Sequence, residues 1–373
     1  MKKISICTVC MNRLSFLRET LPENILENKS YPFLEFVLLD YNSGDGMEQW
    51  ARKNLMPYID SGILKYYKTT QPAYFDLSHS KNMCLKLATG DILCMIDADN
   101  YAGSGYAAWV NSIFGDSDTQ TIITTLRKHN IPYRDQGGKL CFHRSLFATV
   151  SGFDEALVGY GVEDVDLAKR MDKAGGRRVY IDNPEFLRCI SHSTFERIRN
   201  FHLINNLDAI YIQVTGTNSK QRVLYLLTNR EFVDLTYDYD KNMISNNVQA
   251  YSGWTIGREG KREGYFNRRT GYLDINYSDG ASISLRENGN GRLSNPDGTT
   301  NEIWEIVPSS NGELFHGLIM SYGECLNRLK SRENDRDAAT INPGGWGNGT
   351  VYLNFDRNHP IDTATLQTSL PTI

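Results

Sequence analysis

Along the first 215 residues the spacing of apolar positions changes repeatedly. Short apolar runs at 4–8, 35–40, 64–67 and 92–97 predict strands, and segments with apolar residues every three to four positions at 14–26, 47–53 and 77–88 predict helices. Strands that alternate with helices in this way predict an α/β layer built on a mainly parallel sheet. In such sheets, ligands gather at the carboxyl ends of the strands. Polar residues stand at those ends: Asn12 and Arg13 after the first strand, Asp40 and Asn42 after the second, and residues 97–100 after the fourth.

Beyond residue 215 the texture changes to short runs rich in Tyr, Gly, Asn and Arg, such as 271–277 followed by Ser278-Asp279-Gly280, which is strand-and-turn composition. Trp254, Trp304 and Trp346 lie 30, 33 and 31 residues beyond the strand-like starts at Leu224, Gly271 and Phe315. Three weak repeats of that length predict a smaller all-β domain over 216–373. A β-trefoil with one core tryptophan per lobe is the sharper expectation and an all-β sandwich the plainer one. The expected organisation is therefore an α/β domain over 1–215 and the β-rich domain after it.

Charge narrows the function. Forty Lys and Arg against 44 Asp and Glu give a net charge of −4, so no basic field is available to grip a polyphosphate backbone, and nucleic acid is not an expected partner. The longest apolar stretches are about five residues, far short of the roughly 20 that span a bilayer, so no transmembrane segment is expected. The opening Met1-Lys2-Lys3 and the polar-interrupted run after it read as a first strand rather than a signal peptide. Seven cysteines, mostly inside apolar runs, fit a reducing compartment and predict a cytoplasmic protein, soluble or peripheral to a membrane. In Cys7-Thr8-Val9-Cys10 the two thiols of one strand point to opposite faces, which argues against a metal or redox pair.

Three places carry chemistry. The strand Ile92-Leu93-Cys94-Met95-Ile96 ends in Asp97-Ala98-Asp99, two acids two residues apart and emerging on one side of the chain. Carboxylates held close repel unless a cation lies by them, and hard oxygen ligands at an open edge suit Mn²⁺ or Mg²⁺, which also neutralises a diphosphate leaving group. The plainer alternative is a pair of acids capping a turn. Gly159-Tyr160-Gly161-Val162-Glu163-Asp164 opens a helix-spaced segment. Acids are ordinary at a helix start, but a close-approach glycine loop followed by acids can also place a carboxylate to take a proton from an attacking hydroxyl. His192, 28 residues beyond Asp164, is a candidate third ligand beside Asp99. Asp76 reads as the cap of the helix that carries His79 and Lys81, with Lys81 in reach of a phosphate.

Together these segments resemble the GT-A nucleotide-sugar glycosyltransferases, similar to family 2 and especially to the galactosyltransferase-like family 7 and chondroitin-polymerase branch. Ile6-Cys7-Thr8-Val9-Cys10-Met11-Asn12-Arg13 resembles the opening strand and Asn-Arg turn that meets the nucleotide. Residues 75–82 resemble the segment before the metal strand, Asp97-Ala98-Asp99 the metal-binding Asp-x-Asp, and Gly152-Phe153-Asp154-Glu155 with Gly161-Val162-Glu163-Asp164 the acceptor-side signature. The resemblance implies a GT-A domain in which Asp99 binds the metal, Asp97 touches the donor ribose or the metal, and His192 is the last metal ligand. Asp40 would hold the uracil ring, with Thr8, Asn12, Arg13, Asn42 and Lys81 also on the donor side. Asp164 would be the general base, and Glu163, Tyr160 and Gly161 would meet the acceptor. Two positions depart from the pattern: Tyr160 stands where relatives usually carry Trp, and no second histidine accompanies His192.

The implied activity is metal-dependent transfer of a hexosyl group, of galactose or N-acetylhexosamine type, from a UDP-sugar to a hydroxyl of a glycan, glycolipid or protein, with inversion. A retaining polypeptide-type transferase, whose lectin domain an appended trefoil would resemble, and a non-catalytic carbohydrate-binding protein are the alternatives. A nucleotidyltransferase would need a Gly-rich loop after the first strand, and Cys10-Met11-Asn12-Arg13 supplies none.

Overall fold

The computed structural model describes all residues except 126–137, 215–219, 240–253, 256–260, 300–301, 337–340 and 367–373. The chain divides into two units, Met1–His192 with Lys330–Ile373, and Ser193–Leu329. In the first unit β1 (Ile4–Cys10), α1 (Leu14–Asn28), β2 (Leu34–Tyr41), α2 (Met47–Asn54), α3 (Met56–Asp60), β3 (Leu64–Thr69), α4 (Leu77–Leu87) and β4 (Ile92–Met95) follow the predicted alternation closely. They continue into α5 (Tyr106–Ile113), β5 (Thr121–Thr124), β6 (Leu140–His143), α6 (Arg144–Thr149), α7 (Glu163–Lys173), β7 (Arg177–Tyr180) and a 3₁₀ turn at Pro184–Leu187. Strands β3, β2, β1 and β4 are parallel, whereas β6 runs antiparallel to both β4 and β5.

Every residue of β1 is buried, which is why it reads as a continuous apolar run instead of an alternating one. Its alternate side chains serve two layers. Ile4, Ile6 and Cys10 pack with Leu17, Leu21 and Ile25 of α1, while Cys7 and Val9 pack with Met83, Cys84 and Leu85 of α4. Cys7 and Cys10 thus face opposite cores, as their spacing requires, and none of the seven cysteines, all among the described residues, is in a disulfide.

In the second unit α8 (Thr194–Ile198) and α9 (His202–Asn205) precede β8 (Leu207–Gln213), β9 (Lys220–Leu227), β10 (Glu231–Tyr239), β11 (Trp254–Thr255), β12 (Lys261–Arg269), β13 (Tyr272–Tyr277), β14 (Ser282–Asn288), β15 (Arg292–Ser294) and β16 (Trp304–Ile306). Each pairs antiparallel with the next in chain order, except that β12 follows β10, on which β11 also pairs; β16 returns to β8 and closes the ring. This is the connectivity of an up-and-down barrel. Among the described residues the strands do not build the three lobes expected of a trefoil. Leu224, Leu226, Phe232, Phe266, Leu273, Leu285 and Trp304 fill its core.

A long helix, α10 (Gly312–Arg336), and two strands, β17 (Thr350–Leu353) and β18 (Pro360–Asp362), complete the chain. Strand β17 pairs antiparallel with β3, giving the first sheet the order β18-β17-β3-β2-β1-β4-β6-β5-β7. The division therefore falls at Ser193, not near 215, and the chain after Lys330 belongs to the first unit. Trp346 shows why equal tryptophan spacing misled: its ring meets Phe147 edge-on at 4.9 Å inside the first unit, so it is no barrel residue. Among the described residues no helix is long and apolar enough to cross a membrane.

Candidate active site

The carboxyl end of β4 is fixed by backbone and side-chain bonds to β1: Ile96 N donates to Cys7 O at 3.0 Å, and Thr8 Oγ1 donates to Ile96 O at 2.9 Å. Thr8 is thus a buried strut of the turn. Asn100 N closes the turn on Asp97 O at 3.0 Å. Residues 188–190 run antiparallel to this turn, with Ile190 N on Asp99 O at 2.8 Å, Tyr101 N on Arg188 O at 3.0 Å and a bridge between Asn100 and Cys189.

That pairing carries His192 to Asp99. Its Nε2 lies 2.6 Å from Asp99 Oδ2, which also receives Arg13 Nη1 at 3.3 Å, while Asn100 Nδ2 donates to Oδ1 at 2.7 Å. Burial raises the Asp99 pKa, but His192, Arg13 and Asn100 outweigh it and hold the carboxyl below its ordinary value. A carboxylate and an imidazole are donor types that Mn²⁺ accepts. Asp99 and His192 therefore fit as two ligands of such an ion, although among the described residues no group of three or more His, Cys, Asp or Glu side chains is arranged to hold one.

A second cluster forms where α4 meets the start of α7. Gly161 and Val162 both have left-handed φ, +82° and +77°, a conformation costly for a β-branched residue, and the helix begins directly after them. Lys81, 1% exposed on α4, donates to Glu163 Oε1 at 2.9 Å and Asp164 Oδ1 at 2.7 Å. Helix α4 turns it inward, where the two acids engage its ammonium. Glu163 Oε2 is buried without a hydrogen-bond partner among the described residues. Burial, then the charges of Glu163 and Asp97, push the Asp164 pKa well up against the pull of Lys81. Burial likewise raises Asp97, which feels Lys81, Asp99 and Glu163. Too many carboxylates share one ammonium, which stays charged: burial opposes its charge, but Asp164, Glu163 and Asp97 raise its pKa well above the ordinary value.

Asp97 feels the charges of Lys81, Asp99, Glu163 and Arg13, and Asp164 feels that of Asp97, so Asp97, Asp99, His192, Arg13, Lys81, Glu163 and Asp164 share one electrostatic neighbourhood. Gly138 leaves no space for a Cβ against the Asp97 carboxylate. Asp40 stands apart. Fully buried, it accepts from Ser43 N at 2.7 Å, Tyr66 Oη at 2.6 Å and Lys68 Nζ at 2.8 Å, so its carboxylate is engaged within the fold. Asn12 and Asn42, both at positive φ, tie neighbouring loops: Asn12 Oδ1 accepts from Gly44 N at 2.7 Å, and Asn42 Nδ2 donates to Pro72 O at 2.8 Å. Tyr160 and Gly161 stay in the loop before α7. Asp76 caps α4 as expected, through His79 N at 2.9 Å.

One residue near the site gives no sign of itself in the sequence. Lys139, fully buried immediately before β6, donates to Tyr101 O at 2.6 Å and to Phe186 O. Burial pulls its pKa down to about 8, with Cys189, Asp97, Cys141 and Asp99 opposing that fall. Only its neighbour Gly138, in contact with Asp97, hints at a constrained backbone there.

The family model for glycosyl transferase family 2 matches residues 5–131, and that for the N-terminal domain of galactosyltransferase matches residues 122–199. The chain is 47% identical over 83 residues to an N-acetylglucosaminyl-diphospho-decaprenol L-rhamnosyltransferase of Mycobacterium tuberculosis, covering 22% of this chain and 26% of that protein. It thus spans about a quarter of that relative's length. Among solved structures, a mannosyltransferase from Pyrobaculum calidifontis in complex with GDP-mannose and Mn²⁺ aligns at 22% identity and TM-score 0.41, over 51% of this chain and 56% of that one. The catalytic domain of Drosophila β1,4-galactosyltransferase 7 with xylobiose aligns at 14% identity and TM-score 0.38, over 54% and 75%.

Proposed function

Because residues 5–199 belong to the GT-A glycosyltransferases of the family 2 and family 7 type, we propose that the chain moves a hexosyl group from a UDP-sugar to a hydroxyl acceptor with inversion. The observation that carries the reading is the meeting, through the charge of Asp97, of an Asp–His pair suited to a divalent cation with a partly buried acid whose pKa is raised toward that of a useful base. Asp99 and His192 would hold Mn²⁺ or Mg²⁺, which when bound offsets the charge of the departing nucleoside diphosphate. Arg13, already on Asp99, adds positive charge at the same place.

Asp164 takes the proton of the acceptor hydroxyl as that oxygen attacks the anomeric carbon. Lys81 holds the Asp164 carboxylate in place through Oδ1. Glu163 Oε2, buried and without a partner among the described residues, is suited to accept from an acceptor-sugar hydroxyl, and Tyr160 and Gly161 supply the loop over it. Seven free thiols, six of them buried, fit a reducing, cytoplasmic compartment.

Asp164→Asn should lower transfer about 10²–10⁴-fold while calorimetry still detects Mn²⁺-dependent UDP binding; near-normal turnover would defeat the base assignment, and NMR of the product anomer reports the stereochemistry. The rhamnosyltransferase match favours a second donor reading, a 6-deoxyhexose passed to a lipid-diphosphate-linked amino sugar. Release of nucleoside diphosphate from a panel of UDP- and dTDP-sugars decides between the two.

A further inference from the structure

His192 is about 90 residues from Asp99 in sequence, so their 2.6 Å contact needs something to hold two chain segments in register. The bridge between residues 99–101 and 188–190 does part of this. Lys139 touches both segments just beyond that bridge. One carbonyl it holds, Tyr101 O, belongs to the turn that ends the Asp-x-Asp segment; the other, Phe186 O, is in the short 3₁₀ turn from which the chain runs to His192. Carbonyls at the end of a helical turn lack intrahelical partners, so the second is open to an external donor. Gly103, at φ +88°, allows the two segments to lie this close, since a Cβ there would come within 2.6 Å of Glu185 O.

An ammonium is a costly way to fill a buried space that an apolar side chain could occupy, and it is tolerated only where acceptors and counter-charges surround it. Here it has two carbonyls and the field of Asp97 and Asp99. We propose that Lys139 is a positioning residue: its ammonium clamps the Tyr101 and Phe186 carbonyls and so holds Asp99 and His192 in mutual contact for cation and diphosphate binding. Lys139 touches neither donor nor acceptor; it acts through the pair. The importance of that pair rests on the function proposed above, whereas the clamp itself can be tested without it.

The test uses the full chain with selectively ¹⁵N-labelled histidine, and Lys139→Met, Asp99→Asn and His192→Ala as variants. In metal-free protein, Lys139→Met should move the His192 imidazole signals toward those seen in Asp99→Asn, showing that the pair has parted. By calorimetry, Lys139→Met should weaken UDP binding in the presence of Mn²⁺ at least tenfold, and should add no further loss when His192 is already Ala. Should Lys139→Met fail to fold, Lys139→Gln, which lacks the charge and is one bond too short to hold both carbonyls, takes its place. Unchanged His192 signals, or equal losses with and without His192, would overturn the clamp. If the unaltered protein shows no Mn²⁺-dependent UDP binding, the proposed function falls, and the His192 signals alone decide the clamp.

Discussion

Asp99 is buried and Asp164 partly so in the candidate site, yet their surroundings drive them in opposite directions. Around Asp99 the partners are His192, Arg13 and Asn100, all able to donate, and the carboxyl sits below its ordinary pKa. Around Asp164 a single ammonium is shared with Glu163 and Asp97, and the carboxyl sits well above it. The ratio of donors to acids decides what each can do. A carboxylate rich in donors is a settled anion fit to face a cation, and one short of donors is a base that gains by taking a proton.

The largest effect should come from removing the cation on the poorer side. Lys81→Met leaves Glu163, Asp164 and Asp97 without their shared counter-charge and should cost about 3–5 kcal/mol of stability, read by denaturant melts. Arg13→Ala, on a partly exposed side chain with other donors left on Asp99, should cost much less. Equal losses would erase the contrast between the two clusters.

Neutralising each aspartate sharpens the comparison, because the signs should differ. A depressed pKa contributes stability that is present above the unfolded value and lost as pH falls through the folded one; Asp99→Asn should therefore lower the melting temperature at pH 7, by about 1–3 kcal/mol in stability. A raised pKa means that the folded chain holds its proton above the unfolded value, so ionisation costs stability as pH rises. Asp164→Asn should accordingly raise the melting temperature at pH 7 while lowering transfer. Two shifts of the same sign would sink the assignment.

Glu163→Gln removes one of the charges that raise Asp164, so the acid limb of the kcat/KM profile should move to lower pH, with KM for the acceptor rising. A limb that stays put would mean that Asp164 is not the titrating base. The smallest effect is expected at Val162. Glycine relieves its left-handed backbone and should stabilise by about 1 kcal/mol, yet lower turnover if the strained turn aims Glu163 and Asp164.

The α/β alternation was legible because the period of apolar residues changes cleanly between strand and helix, and predicted and observed bounds for β1 to β4 and α1, α2 and α4 differ by only a few residues. The site acids were legible because Asp97, Asp99, Glu163 and Asp164 lie at ends of elements, where a polar residue stands out against an apolar run. Helix α10 was not, although Leu314, Leu318, Ile319 and Cys325 are buried along it. Ser321, Asn327, Ser331 and Asn334 are buried as well, and this polar stripe breaks the apolar period. The internal partners of Lys81, Lys139 and Asp40 were not legible for one physical reason: whether a charged side chain is solvated or engaged depends on partners far away in sequence, such as Asp164 for Lys81 and Phe186 for Lys139. The pairing of β17 with β3 is likewise invisible locally, since its registered partners, Tyr352 and Lys68, lie nearly 300 residues apart.

That last pairing bears on how the chain is made. While a ribosome is still synthesising the barrel, β3 is an outer strand whose backbone groups on one side lack their eventual partner, and such an edge invites pairing with other nascent chains. The first sheet reaches its full width only after residue 362 has emerged, so a stop codon placed after the barrel should injure the older half of the protein first.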